Sequence, residues 1–382
     1  MTDPIFISSA KRTPVGAFQG ELSHLTAPEL GALAIRASLT DIDASRVNEV
    51  IMGNVVTAGL KQAPARQAMR QAGLDDGVGA TTINKVCGSG MKAVMLAHDL
   101  IRAGSAETVV AGGMESMSNM PYLVQKARAG LRLGHTEMKD SMFLDGLEDA
   151  DTGGAMGTFA QSTADRFQLT REAMDAYATE SVRRARNAID TQALASEITA
   201  IEHNGTTIQD DEQPRRARPE RIPHLRPAFK ADGTITAANS SSISDGASAL
   251  VISRDEKLGQ PLARIVGHAT HSQHPSEFTT APVGAMQKLA ARVGWRLEDV
   301  EIFEINEAFA MVTMLAMQEL SLPHERVNLY GGACAQGHPI GSTGARLIVT
   351  LAHALHRENA QRGMASLCIG GGEATAIALE RV

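Results

Sequence analysis

At 382 residues with 43% apolar side chains, the chain can bury a large core, and its length accommodates two or three domains rather than a disordered segment. A net charge of −7 argues against nucleic acid as the main partner, so an anionic ligand needs a local group of basic residues. The cysteines, Cys87, Cys334 and Cys368, are few, odd in number and far apart, which implies no disulfide framework and points to a reducing compartment.

The chain starts Met1-Thr2-Asp3-Pro4 and runs into the apolar Ile5-Phe6-Ile7, with neither a signal peptide nor an Arg-rich transit segment. No apolar run approaches a membrane span, and Glu380-Arg381-Val382 is not a peroxisomal address, so a cytoplasmic protein without membrane partners is expected. Ala27-Pro28 opens an amphipathic helical stretch, and Asn48–Asn54 reads as a buried strand ending in Asn. An extended stretch, Thr81–Val86, then runs into the glycine-spaced helix start Cys87-Gly88-Ser89-Gly90. After the apolar strand Val109–Glu115 the character changes between Ser118 and about Ser242. That part is rich in Gly, Met, Arg and Asp, and carries one good helix near Thr170–Ala188 with Thr170 as its N-cap.

Further on, the pattern repeats. Ala281-Pro282 mirrors Ala27-Pro28, and Val300–Asn306 mirrors Asn48–Asn54. Gly341-Ser342-Thr343-Gly344 mirrors Gly88-Ser89-Gly90, and Leu367–Glu373 mirrors Val109–Glu115. Lastly, Ala374–Arg381 mirrors Ala247–Arg254. Five matches in one order imply duplication. Alternating strands and helices predict an α/β fold of helices packed on sheets. The expected division is residues 1–118 with 243–260 as one half, 119–242 as an inserted lid, and 261–382 as the other half.

Four segments place reactive side chains at strand ends or turns: Cys87, Asn306, His338 in Gly337-His338-Pro339, and Cys368 before Gly370-Gly371-Gly372. A thiol at a helix start meets free N–H groups and the positive end of the dipole, so a lowered pKa and a nucleophilic role are expected for Cys87. A Cys with a His nearby forms a nucleophile–base pair. Read alone, Cys368 is a core cysteine and Asn306 a strand-end cap. Cys334 shows no partner and reads as packing. The run Pro214-Arg215-Arg216-Ala217-Arg218-Pro219-Glu220-Arg221 is a basic concentration on an acidic chain, suited to phosphate or to a solvated surface. Neither metal-ligand spacing nor a dinucleotide fingerprint appears, so no metal or nicotinamide cofactor is expected.

Together, Val86-Cys87-Gly88-Ser89-Gly90, Ala111-Gly112-Gly113-Met114-Glu115-Ser116-Met117, Asn306-Glu307-Ala308-Phe309-Ala310, Gly337-His338-Pro339-Ile340-Gly341 and Cys368-Ile369-Gly370-Gly371-Gly372 resemble the motifs of a thiolase over nearly the whole chain. The resemblance implies a thiolase fold, with two duplicated βαβαβαββ halves in a five-layered α-β-α-β-α arrangement and an inserted loop domain. It implies acyl transfer from coenzyme A thioesters, which are substrates rather than cofactors. Acetyl-CoA, acyl-CoA and CoA are the implied ligands, and a dimer or tetramer the implied assembly.

By the same resemblance Cys87 would be the nucleophile, His338 its base, and Cys368 the base for a second acetyl-CoA. His338 with a water on Asn306 would form one oxyanion hole, and the N–H groups of Cys87 and Gly370 the other. Arg215 would lie near the adenine. Ala237 and Ser241 would contact the pantetheine, with Phe229, Phe309 and Met156 completing the coenzyme site. Three departures from short-chain biosynthetic members stand out. Gly154-Ala155-Met156-Gly157 replaces a His-Met pair, Phe278 stands where Met is frequent, and Glu373-Ala374 replaces an uncharged residue and Gly. Acetyl-CoA C-acetyltransferase is the leading expectation. The alternatives are a degradative 3-oxoacyl-CoA thiolase with a broader chain range and an inactive acyl-CoA-binding relative.

Overall fold

A computed structural model describes residues 3–382. The first half contributes β1 (Phe6–Arg12), α1 (Ala27–Ser38), β2 (Glu49–Gly53), α2 (Pro64–Ala72), β3 (Gly79–Ile83), α3 (Ser89–Arg102) and β4 (Thr108–Ser116). A long excursion follows, holding α4 (Met156–Arg166) and α5 (Arg171–Asp190), before the chain returns as β5 (Ser244–Ser253). The second half contributes β6 (Ala263–Ser272), α6 (Ala281–Val293), β7 (Ile302–Ile305), α7 (Ala310–Leu320), α8 (Ile340–Arg357), β8 (Arg362–Ile369) and β9 (Glu373–Arg381). As the sequence predicts, Ala27-Pro28 and Ala281-Pro282 occupy the first turns of α1 and α6, where a missing N–H costs nothing. Thr170 caps α5, its hydroxyl accepting from Ala173 N at 3.2 Å.

The strands run in the order β7-β8-β9-β6-β1-β5-β4-β2-β3. The two halves meet in this ladder through only two residue pairs, Phe6–Arg264 and Ile7–Ala263. On either side of that seam the sheets face a shared middle layer of α3 and α8. One core joins Met91, Val94 and Ile101 of α3 to Leu347, Ile348 and Leu351 of α8 and to strands of both halves. A second core lies under α1 and α2, and a third under α6 and β7. Helices outside, sheets within and a helical centre make the α-β-α-β-α sandwich. Because α8 sits between two sheets, nearly all of it is buried, as its apolar sequence demands. The middle helices touch through glycines: a Cβ on Gly90 would stand 2.7 Å from Ala345 N, and one on Gly344 2.5 Å from Met91 N. Any side chain there forces the two halves apart.

Two details of the repeat differ from expectation. First, Gly113 lies opposite Gly53 while Ser366 lies opposite Ile305, so the strand equivalent of Gly113 is Ser366, not Gly371. Gly112-Gly113 sits inside a strand, whereas Gly371 and Gly372, both at φ +88°, form the hairpin between β8 and β9. By the same registers Ser248 matches Ala376, one position from the sequence pairing. Second, the fifth strand of the second half is reduced to one bridge, Phe303–Val327. The next residue, Asn328, turns to φ +51°, and its carboxamide replaces the missing peptide partner. Oδ1 accepts from Ile305 N and Nδ2 donates to Ile305 O, both at 2.8 Å.

The excursion is fastened to the body by a buried ion group. Arg12 Nε reaches Glu197 Oε1 and Nη1 reaches Asp211 Oδ1, each at 2.7 Å. Glu212 accepts from Ala17 N at 2.8 Å.

Candidate active site

Cys87 follows Val86, which holds a left-handed conformation at φ +48°. That kink turns the chain from β3 into α3 and exposes the sulfur to a cavity of about 490 Å³. The same cavity is lined by His338, Cys368 and Gly370, which come from the second half of the chain, far in sequence from Cys87. His338 sits in the loop before α8, and Cys368 and Gly370 at the end of β8. Of the other residues singled out in the sequence, Met156, Phe229, Ala237, Ser241 and Phe309 also line it. The ring of Phe229 covers Gly157 and meets Phe309 edge-on at 6.2 Å. Phe278 forms part of the wall, and Ala155 occupies the position next to Met156.

Asn306, at the end of β7, is fully buried and is not part of this lining. Neither its Nδ2 nor its Oδ1 has a partner among the described residues, and neither does His338 Nε2. Cys334 is buried, with its N–H on Glu307 Oε2 at 3.1 Å and its thiol donating to Glu307 O at 3.7 Å.

Arg215 differs from expectation. It pairs with Asp210 and lines neither this cavity nor the adjoining one. The neighbouring cavity, about 260 Å³, shares Gln213, Ala237 and Ser242 with the first and is walled by Arg216, Arg218 and Arg221. The reason is the short helix Glu212–Arg216, which points successive arginines in different directions. Arg186 holds the turn that follows, donating from Nε to Pro214 O at 2.9 Å and also bonding Ala217 O.

The electrostatics also correct the sequence reading. Burial pushes the Cys87 thiol up to about 11, against the pull of N–H groups from Gly370 and from Cys87 itself. The helix start does not reverse this, because the N–H groups of Gly88 and Ser89 are already given to Lys85 O and Val86 O, each at 3.0 Å. Burial likewise lowers His338 to about 3. The resting pair is therefore thiol and neutral imidazole. Burial is also the main cause raising Cys368 well above an ordinary thiol, with the Cys87 charge second.

Sequence reasoning missed several residues that build the site. His338 Nδ1 lies 2.6 Å from Thr343 Oγ1. Glu115 ties the loops together, accepting from Val55 N at 2.9 Å, Val56 N at 3.2 Å, Gly341 N at 2.9 Å and Asn54 Nδ2 at 2.8 Å. Burial lifts this carboxyl to about 7. The only signal for Thr343 was its place in the helix-start motif after His338.

The fold and this site define a duplicated α/β protein built around a cysteine–histidine–cysteine centre. The thiolase N-terminal domain matches residues 5–256 and the thiolase C-terminal domain residues 259–381. The chain is 46% identical to an acetyl-CoA acetyltransferase of Pseudomonas aeruginosa and 44% identical to one of Schizosaccharomyces pombe, each covering 99% of both chains. Among solved structures, a thiolase of Ascaris suum in complex with coenzyme A matches with a TM-score of 0.95 at 38% identity, covering 99% of this chain and 100% of that one. Human mitochondrial 3-ketoacyl-CoA thiolase in complex with CoA matches with a TM-score of 0.96 at 35% identity, covering 100% and 98%. The chain belongs to the thiolase family.

Proposed function

We propose that this chain is an acetyl-CoA C-acetyltransferase, interconverting two acetyl-CoA with acetoacetyl-CoA and CoA by a ping-pong route through an acyl-cysteine. The observation that carries the reading is the meeting of Cys87, His338, Cys368 and the Gly370 backbone on one cavity. Cys87 rests as a thiol and needs a base, and His338, on the same cavity with an Nε2 that has no partner among the described residues, is placed to take the proton as the sulfur attacks. Cys87 attacks the thioester carbonyl while His338 takes its proton. CoA leaves as a thiolate and receives that proton. The N–H groups of Cys87 and Gly370 stabilise the tetrahedral oxyanion, each such donor contributing about 3 kcal/mol.

In the second half-reaction Cys368 first passes its thiol proton to His338, then as a thiolate removes a proton from the methyl carbon of another acetyl-CoA, and His338 later returns its proton to the departing Cys87. The enolate attacks acetyl-Cys87, acetoacetyl-CoA forms, and Cys87 departs and is reprotonated. His338 and a water held by Asn306 would stabilise the enolate oxygen. No cofactor enters this scheme, since the CoA thioesters are themselves the substrates. Arg218 and Arg221 supply positive charge for the coenzyme phosphates, while Arg216 beside them shares its charge with Glu212 Oε1 at 2.6 Å. Ala237, Ser241, Phe229, Phe309 and Met156 line the route for the pantetheine arm.

A second reading has its own support. The 490 Å³ cavity carries apolar walls at Phe143, Leu147, Ile243 and Ile340, room beyond an acetyl group that favours thiolysis of longer 3-oxoacyl-CoA chains. Mass spectrometry of the protein mixed with acetyl-CoA tests the common step. One added acetyl group on Cys87 is expected, and its absence ends the proposal. Thiolysis rates from C4 substrates upward then choose between the two readings.

We further propose a homo-oligomer that pairs through the open edge of β3, which no other strand among the described residues covers. A reducing compartment such as the cytoplasm is the proposed setting, on the few and scattered cysteines. Among the described residues, no helix is long and apolar enough to cross a membrane.

A further inference from the structure

We propose that Lys85 and Glu373 are positioning residues that fix the separation of the two N–H groups meeting the thioester oxyanion. The proposal rests on the acyl-transfer reading above. The Cys87 N–H belongs to one half of the molecule and the Gly370 N–H to the other. Neither half alone sets the distance between them. Both groups also sit in turns rather than in a ladder: Val86 is at φ +48° before Cys87, and Gly371 and Gly372 are at φ +88° after Gly370.

The ion pair bridges that gap. Lys85 Nζ lies 2.5 Å from Glu373 Oε2. Lys85 stands two positions before Cys87, and Glu373 three after Gly370. Each end is anchored in its own half. Lys85 N donates to Ser89 Oγ at 2.8 Å, and Lys85 O accepts from Gly88 N at 3.0 Å. Glu373 Oε1 accepts from Ser272 Oγ at 3.0 Å, and Glu373 is in register with Ile369 across the hairpin. Between the charges the two turns touch directly, since a Cβ on Gly88 would stand 2.3 Å from Ile369 Cδ1. The contact resists approach, and the ion pair resists separation. With side chains only 21% and 31% exposed, the pair is partly shielded from solvent screening.

The test uses the full chain in five forms: wild type, Lys85→Met, Glu373→Gln, the double variant, and Lys85→Arg. The rate of Cys87 acetylation by acetyl-CoA is followed by mass spectrometry, with thiolysis kcat and KM and a thermal melt alongside. Losing an oxyanion donor outright costs about 10²–10³-fold, so misplacing one predicts a loss of about tenfold in acetylation and kcat for each single variant. KM should stay within about twofold and the melting temperature close to wild type. The double variant should be no slower than either single, because one contact is broken in all three. Lys85→Arg should keep most of the rate. A Glu373→Gln enzyme as fast as wild type overturns the proposal. A faster one overturns it too, by showing that the Lys85 charge acts on the oxyanion directly. Losses that multiply in the double variant do the same. A wild-type chain that never becomes acetylated removes the acyl-transfer reading itself, a result distinct from all of these.

Discussion

Thr343 fixes which nitrogen of His338 is free. Its Oγ1 lies 2.6 Å from His338 Nδ1 and 3.0 Å from Pro339 O. With the hydroxyl proton turned to Pro339 O, the oxygen accepts from Nδ1–H, which is the tautomer that base catalysis through Nε2 requires. Nε2 then keeps its lone pair and has no partner among the described residues. The free base is thus set by a hydroxyl on the first turn of the following helix. Thr343→Val should slow Cys87 acetylation about tenfold to a hundredfold with little change in KM, while Thr343→Ser keeps most of the rate. Single-turnover acetylation followed by mass spectrometry distinguishes them.

The pH dependence follows from the same burial. A lowered His338 pKa of about 3 keeps the imidazole neutral in mildly acidic solution. The acid limb of acetylation should then lie below pH 5, not near the 6.5 of a free imidazole. A raised Cys87 pKa of about 11 means that alkylation by iodoacetamide keeps climbing past pH 9. For stability the signs oppose. Below pH 6.5 the unfolded chain takes up a proton that buried His338 refuses, so stability falls as pH drops. Above pH 9 the unfolded chain releases a thiol proton that Cys87 retains, so stability falls as pH rises. Rate profiles from pH 5 to 10 check the kinetic claims, and melts over the same range check the other two.

The two sulfurs should separate cleanly. Cys87→Ala is expected to form no acetyl adduct. Cys368→Ala should still acquire one acetyl group yet fail to convert it to acetoacetyl-CoA. An adduct on Cys87→Ala, found by peptide mapping, would move the nucleophile elsewhere.

Phe278 closes one side of the cavity and is 3% exposed. Phe278→Ala should raise kcat/KM for longer 3-oxoacyl-CoA relative to acetoacetyl-CoA by about tenfold, in line with the reach of an apolar pocket. The same truncation should destabilise the chain by about 3 kcal/mol, because the ring is core. Thiolysis across chain lengths and a denaturant titration give the two numbers.

The arginine-walled cavity makes a salt-sensitive prediction. Arg218→Glu or Arg221→Glu should raise KM for CoA about tenfold at low ionic strength with kcat nearly unchanged, and the gap should narrow in high salt. Arg215→Glu should do much less, since its guanidinium pairs with Asp210 away from both cavities.

Much of the architecture was legible because it is written in local patterns. Paired helix starts at Ala27-Pro28 and Ala281-Pro282, and strands ending at Asn54 and Asn306, announce a duplicated α/β body. The register was harder to read. Val109–Glu115 and Leu367–Glu373 look alike, yet the first is strand throughout and the second turns a corner at Gly370. Strand pairing decides that, and pairing is a long-range fact. Arg215 shows the same limit on a smaller scale. Its composition suits phosphate, but a short helix turns it towards Asp210 and leaves Arg216, Arg218 and Arg221 at the cavity.

The amino-acid order by itself determined the family and the duplication, and it singled out Cys87, Asn306, His338 and Cys368, since motif spacing and side-chain chemistry are properties of the chain. Only the tertiary structure decided their protonation. The helix start at Cys87 suggested an acidic thiol, but burial outweighs the local N–H groups and makes it a weak acid beside an imidazole that stays neutral. Desolvation depends on what the remote halves of the molecule bring around a group, and that is absent from any single stretch of sequence.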